Sequence, residues 1–138
     1  MSKTVATLNA PAAPINIRDG FTSITGDDME SKKRVFNAIA TAEKLADNLE
    51  KQINAIDILV QPRTTEADEK TGEMDDYLSI TILDADGTAY TAGSKGLANS
   101  IENVLAIFGH PASWDEPLAM KAVERKAAKG KYFAIELL

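Results

Sequence analysis

Apolar and polar residues alternate most regularly from Tyr77 to Ile82, with Leu78, Ile80 and Ile82 on one side and Tyr77, Ser79 and Thr81 on the other. Alternation with period two predicts a strand with one buried face. Asp84-Ala85-Asp86-Gly87 reads as a turn, because Asp-Gly accepts the positive φ of a tight hairpin. Thr88 to Ala92 is then a short returning strand. After Gly93 the period changes: Leu97, Ile101, Val104, Leu105 and Phe108 form one stripe at helical spacing. A helix is predicted over Ser94 to Phe108, closed by Gly109. Two starts compete, Ser94 and a capping box of Asn99 with Glu102.

The remaining strands follow from the same signals. Ile53 to Pro62 is rich in β-branched residues and ends on a proline. Leu118 to Lys126 and Tyr132 to Leu138 read as strands joined by Ala127-Ala128-Lys129-Gly130. Residues 1–14 are small, polar and broken by Pro11 and Pro14, so a flexible tail is expected. Ile15 to Thr25 reads as an extended arm or a short hairpin, and no domain boundary is visible after residue 30.

Residues 30–52 carry two readings. One is a long helix over Glu30 to Gln52, with Val35, Ile39, Ala42, Leu45, Ala46 and Leu49 on one stripe. The other is a strand over Arg34 to Ala40 followed by a short helix over Glu43 to Leu49. Periodicity favours the first.

With the second reading, the order becomes strand, strand, strand, short strand, helix, strand, strand. This is a mainly β chain with a helix between the third and fourth long strands, the layout of a five-stranded OB-fold barrel. The 138 residues suffice for one domain, expected to span 15–138.

Charge changes the picture locally. The net charge is −6, yet Glu66 to Asp86 alone holds eight acids and one lysine, a local −7. The rest of the chain is thus near neutral, and Pro117 to Leu138 is basic at +3. The acidic residues between Thr64 and Asp76 read as a solvated loop between two strands. The chain has no cysteine, which excludes disulfides and thiol catalysis. No apolar run reaches the roughly 20 residues that span a bilayer, and no signal-peptide core is visible, so a soluble cytoplasmic protein is expected.

Catalytic chemistry is scarce. The single histidine, His110, sits at a helix end, where a structural role facing the helix dipole is expected. Gly93-Ser94-Lys95-Gly96 resembles an anion cradle but lacks the spacing of a nucleotide-binding loop. Asp84 to Gly87 lacks the later ligands of a calcium loop. No cofactor or metal is expected.

What remains is rings and cations. Tyr77, Tyr90 and Tyr132 each fall on the apparent outward side of a strand, where a phenol offers a stacking face with its hydroxyl wet. Lys33, Arg34, Arg63, Lys95, Lys121, Arg125 and Lys131 are candidate phosphate contacts. Phe36 and Trp114 read as core or connector anchors.

Three stretches resemble the small phage single-stranded DNA-binding proteins of protein-primed linear genomes. They are Arg34-Val35-Phe36-Asn37-Ala38, then Ile80-Thr81-Ile82 through Asp86-Gly87-Thr88-Ala89-Tyr90 with Ser94-Lys95, and Lys129-Gly130-Lys131-Tyr132-Phe133. The resemblance implies an OB-fold and non-specific, often cooperative coating of single strands in replication, with self-association on the DNA. It places a strand at Arg34 to Ala40 and carries a DNA contact onto Tyr90 through Asp-Gly-x-x-Tyr. If the acidic loop 66–76 borders DNA, it would steer strand polarity or recruit phage replication proteins. The competing reading is an acidic protein-interaction module without DNA affinity.

Overall fold

Leu78, Ile80 and Ile82 do point into one core, and the strand that carries them is the centre of the sheet. The structure is a computed structural model describing residues 16–65, 69–74, 76–128 and 130–138. The tail expected at 1–14 lies outside the described residues. Its elements are β1 (Phe21–Thr22), α1 (Met29–Ala40), β2 (Glu43–Lys44), β3 (Ile53–Thr64), β4 (Asp76–Asp84), β5 (Ala89–Ala92), α2 (Lys95–Phe108), β6 (Leu118–Ala127) and β7 (Gly130–Leu137), with short 3-10 turns at Leu45–Asn48 and Pro111–Ser113. The strands form one curled mixed sheet in the order β2-β5-β4-β3-β6-β7, and β1 pairs with β3 off that path. Only β2 with β5 is parallel.

Long β3 pairs with three strands, β1, β4 and β6. Ile53 to Ala55 pair with β6, and Ala55 to Thr64 pair with β4, with a register shift between Ala55 and Asp57. The strand runs through Pro62 rather than ending there. A proline is tolerated because the edge of β3 away from β4, paired with β6 at Ile53 to Ala55 and with β1 at Leu59 and Val60, has no partner strand at Pro62 among the described residues.

The concave side holds Ile53, Ile58, Ile80, Ile82, Met120 and Tyr90, sealed by Leu97, Ile101 and Leu105 of α2. Ser94 caps α2, its Oγ accepting from the Leu97 amide, and Gly109 closes it at φ 78°. The alternative cap is used elsewhere: Asn99 and Glu102 both accept from Arg18, with Arg18 Nη2 2.6 Å from Glu102 Oε1. Helix α2 also covers the free edge of β7, where the Ile135 amide donates to Ser100 Oγ at 3.0 Å.

The convex side is covered by α1, where Val35, Ala38 and Ile39 pack on Leu59, Leu83 and Ala89. The strand expected over Arg34 to Ala40 is therefore a helix, and the single long helix is also excluded, because α1 stops at Thr41. The 3.6-residue spacing of Val35, Ala38, Ile39 and Ala42 gives a helix one apolar face, whereas a strand would split these residues between faces. Asp28 caps the start by accepting from the Ser31 amide. With α1 in that place, α2 lies between the second and third of four long strands.

Candidate nucleic-acid interface

The outward face of β4 carries Tyr77, whose cross-strand neighbour on β3 is Arg63. The outward face of β7 carries Tyr132, whose cross-strand neighbour on β6 is Arg125. The two tyrosines are 37% and 40% exposed as residues. The same unit, a tyrosine opposite an arginine, thus occurs twice.

The lead into α2 joins the two units. A Cβ on Gly93 would stand 2.7 Å from Tyr77 Cδ2, and one on Gly96 would stand 2.7 Å from Tyr132 Cδ2. Real Cβ atoms do not come so close, so only glycine lets each ring edge lie against this backbone. Gly93-Ser94-Lys95-Gly96 therefore seats both tyrosines, one on each side. From sequence this run reads as a helix start and an imperfect anion cradle. Its seating role depends on β4 and β7 meeting one helix end, which no local pattern encodes.

On the Tyr77 side lies a cavity of about 440 Å³, lined by Arg18, Arg63, Tyr77, Ser94 and Lys95 and edged by Thr64 and Asp76. On the Tyr132 side a shallower hollow is lined by Gly96, Asn99, Asn103, Arg125 and Tyr132. Ion pairs among the described residues leave Arg63 and Lys95 out. Arg63 donates to Gln61 Oε1 at 2.6 Å, which steadies the guanidinium without neutralising it. A row of exposed rings and cations thus runs from Arg63 across the α2 start to Arg125.

Tyr90 does not join this row. It is fully buried, contrary to the outward placement expected from sequence. The hairpin register sets Tyr90 opposite Ile82, and cross-strand neighbours share a face, so the ring enters the core. Its phenol oxygen has no hydrogen-bond partner among the described residues. Lys51 Nζ stands 5.3 Å from the ring centroid. Contact with the phenol, ahead of the charges of Glu43 and Asp86, holds Lys51 above its ordinary pKa. With the oxygen outside hydrogen-bonding geometry, the contact is of ammonium with ring.

The other predicted cations divide by partner. Arg34 donates to Asp57 Oδ2 at 2.9 Å, and Ser23 Oγ donates to Asp57 Oδ1 at 2.7 Å. This buried carboxylate ties α1 and the segment after β1 to β3, so Arg34 is held in a structural pair away from the tyrosine row. Lys121 is 2.8 Å from Glu50 and 3.7 Å from Glu136, and its pKa is raised first by the Glu50 contact. Glu50 itself sits at φ 66°, pinned by its amide to the Ala122 carbonyl. Arg125 shares Glu136 at 3.2 Å, and Lys131 faces Glu124 at 3.4 Å. Lys33 is exposed on α1 and lines neither hollow beside the two tyrosines.

His110 is structural, but by another route than a cation facing the dipole. Its Nδ1 accepts from the Ala112 amide at 3.0 Å, and its ring meets Phe21 edge-on at 5.4 Å. Trp114 is a connector anchor, its indole N–H donating to the Phe108 and Gly109 carbonyls. Phe36, expected to be buried, is exposed on α1. At the Asp84–Gly87 turn, Asp84 and Asp86 accept from the Asp86 and Thr88 amides, as a turn requires. Among the described residues no cluster of three acids or histidines is suited to a metal, and no helix is long and apolar enough to cross a membrane.

Comparison with known proteins gives one family. A family model described as phage single-stranded DNA-binding protein matches residues 16–137. No curated protein and no solved structure matches the chain.

Proposed function

Because the chain belongs to the phage single-stranded DNA-binding protein family, we propose that it coats unpaired DNA non-specifically during phage replication, holding the strand along the row from Arg63 and Tyr77 to Tyr132 and Arg125. The repeated tyrosine–arginine unit carries this reading. Each ring offers a π-face to any base, and each neighbouring guanidinium is placed for the phosphate beside it. Stacking of this kind contributes roughly 1 to 3 kcal/mol per base and does not depend on sequence. Lys95, between the two units, adds a third cation at the start of α2, where backbone amides also favour an anion.

We also propose that the sheet is an opened OB-fold. Strands β3, β4, β5, β6 and β7 with α2 before β6 follow that connectivity, and β5-β4-β3-β6-β7 are neighbours in that order. Helix α2 stands where a closed barrel would join its edges.

Affinity is expected to fall with salt in proportion to the phosphate contacts. Three contacts, from Arg63, Lys95 and Arg125, give a slope of log K against log salt of about −2 for a single strand. Lys95→Ala should reduce that slope by about 0.7 and weaken binding to every sequence alike. Anisotropy titrations of labelled oligo-dT, oligo-dA and a duplex over a salt series test both statements. Duplex binding as tight as oligo-dT binding would reject the assignment, and so would a protein without affinity for any of them.

A further inference from the structure

The outward face of α1 has no part in the strand track, yet it is built for a partner. Met29 and Phe36 lie two turns apart on it and are 69% and 70% exposed. Lys33 stands between them, and Lys32 is one turn before Phe36. Glu30, the one acid on the helix, is turned about 100° away from Met29. Ion pairs among the described residues leave Lys32 and Lys33 unmatched. An exposed phenylalanine flanked by unmatched lysines fits a partner that is acidic with an apolar side chain among its acids.

The chain itself carries such a segment. The connection from β3 to β4 holds Glu66, Asp68, Glu69, Glu73 and Asp75 against Lys70 alone. Among its described residues Glu69 and Glu73 are exposed, and Met74, beside them, is 62% exposed. Charge and apolar content thus match the α1 face on both counts.

We propose that the outer face of α1 receives the acidic β3–β4 connection of a second copy of this chain. Lys32 and Lys33 meet the carboxylates, and Met74 covers Phe36. The two surfaces differ, so the contact is heterologous and leaves one of each free at the ends of a row. Such a row extends in one dimension, as a polynucleotide does.

Charge reversal in trans tests this without DNA. Sedimentation velocity of the full chain at low salt should show concentration-dependent association. Lys32→Glu/Lys33→Glu and Glu69→Lys/Glu73→Lys should each weaken it about tenfold or more. An equimolar mixture of the two variants should restore association, because the unaltered acidic segment of one then meets the unaltered α1 face of the other, and the two reversed surfaces also match. All four positions are exposed, so folding should survive, and circular dichroism checks it. Wild-type protein that stays monomeric at every concentration overturns the proposal, as does a mixture that behaves like its separate components. A further arm titrates Lys32→Glu/Lys33→Glu with an oligo-dT that accommodates one protein. Unchanged affinity supports a copy-to-copy face; a loss there with self-association intact would make α1 a strand contact and overturn the proposal.

Discussion

Changing Tyr77 and Tyr132 together to alanine is expected to weaken binding to oligo-dT about a hundredfold, with each single change weakening it about tenfold. The magnitude follows from stacking of roughly 1 to 3 kcal/mol per base, taken near the lower end for partly exposed rings. Tenfold in affinity corresponds to about 1.4 kcal/mol. Both tyrosines are outside the buried core, so the melting temperature should move little. Tyr77→Phe and Tyr132→Phe keep the π-face and should retain most of the affinity. A double alanine variant that binds as the wild type does would remove the tyrosines from the interface, whatever the family membership.

Tyr90 gives the second large effect, on stability instead of binding. Tyr90→Ala empties the space between Ile82 and the α2 residues, and truncating a buried aromatic costs about 3 to 5 kcal/mol. Against a total stability of roughly 5 to 15 kcal/mol, that is a large fraction. Tyr90→Phe removes only a phenol oxygen that has no partner, so it should be neutral or slightly stabilising. Denaturant unfolding separates the two variants. The folded fraction of Tyr90→Ala should bind oligo-dT as the wild type does. A stable Tyr90→Ala protein with weakened binding would mean that the ring faces the strand after all.

These two tyrosine sites show where sequence pattern holds and where it stops. Tyr77 and Tyr132 sit in long strands whose aliphatic neighbours declare the buried side, so their outward facing is legible. Tyr90 sits in a four-residue strand, and its side depends on the register imposed by the Asp84–Gly87 turn. A tyrosine satisfies either face, so the residue itself gives no signal. Helix α2 was legible for the same reason as β4: a single period persists over many residues. Helix α1 was harder. Its apolar face is narrow, and the likeness of Arg34-Val35-Phe36-Asn37-Ala38 to a first strand competes with its 3.6-residue period. The packing of Val35 and Ile39 on Leu59 and Leu83 decides in favour of the period.

The cations show a different limit. Composition cannot tell a lysine committed to Glu50 from one left for phosphate. Arg34, Lys121 and Lys131 look like Arg63 and Lys95 in sequence, yet their nearest acids come from other elements. Gly93 and Gly96 were in view from the start, but as a phosphate cradle. Their role as seats for two rings exists only once β4, β7 and the start of α2 are brought together.

Ultraviolet crosslinking of the wild-type protein to oligo-dT, followed by peptide mapping of the adducts, reads the strand's path directly. Adducts on Tyr77 and Tyr132, with none on Tyr90, are the predicted result. Adducts confined to Tyr90 or to Phe36 on α1, with Tyr77 and Tyr132 unmodified, would contradict the track across the two tyrosine–arginine units.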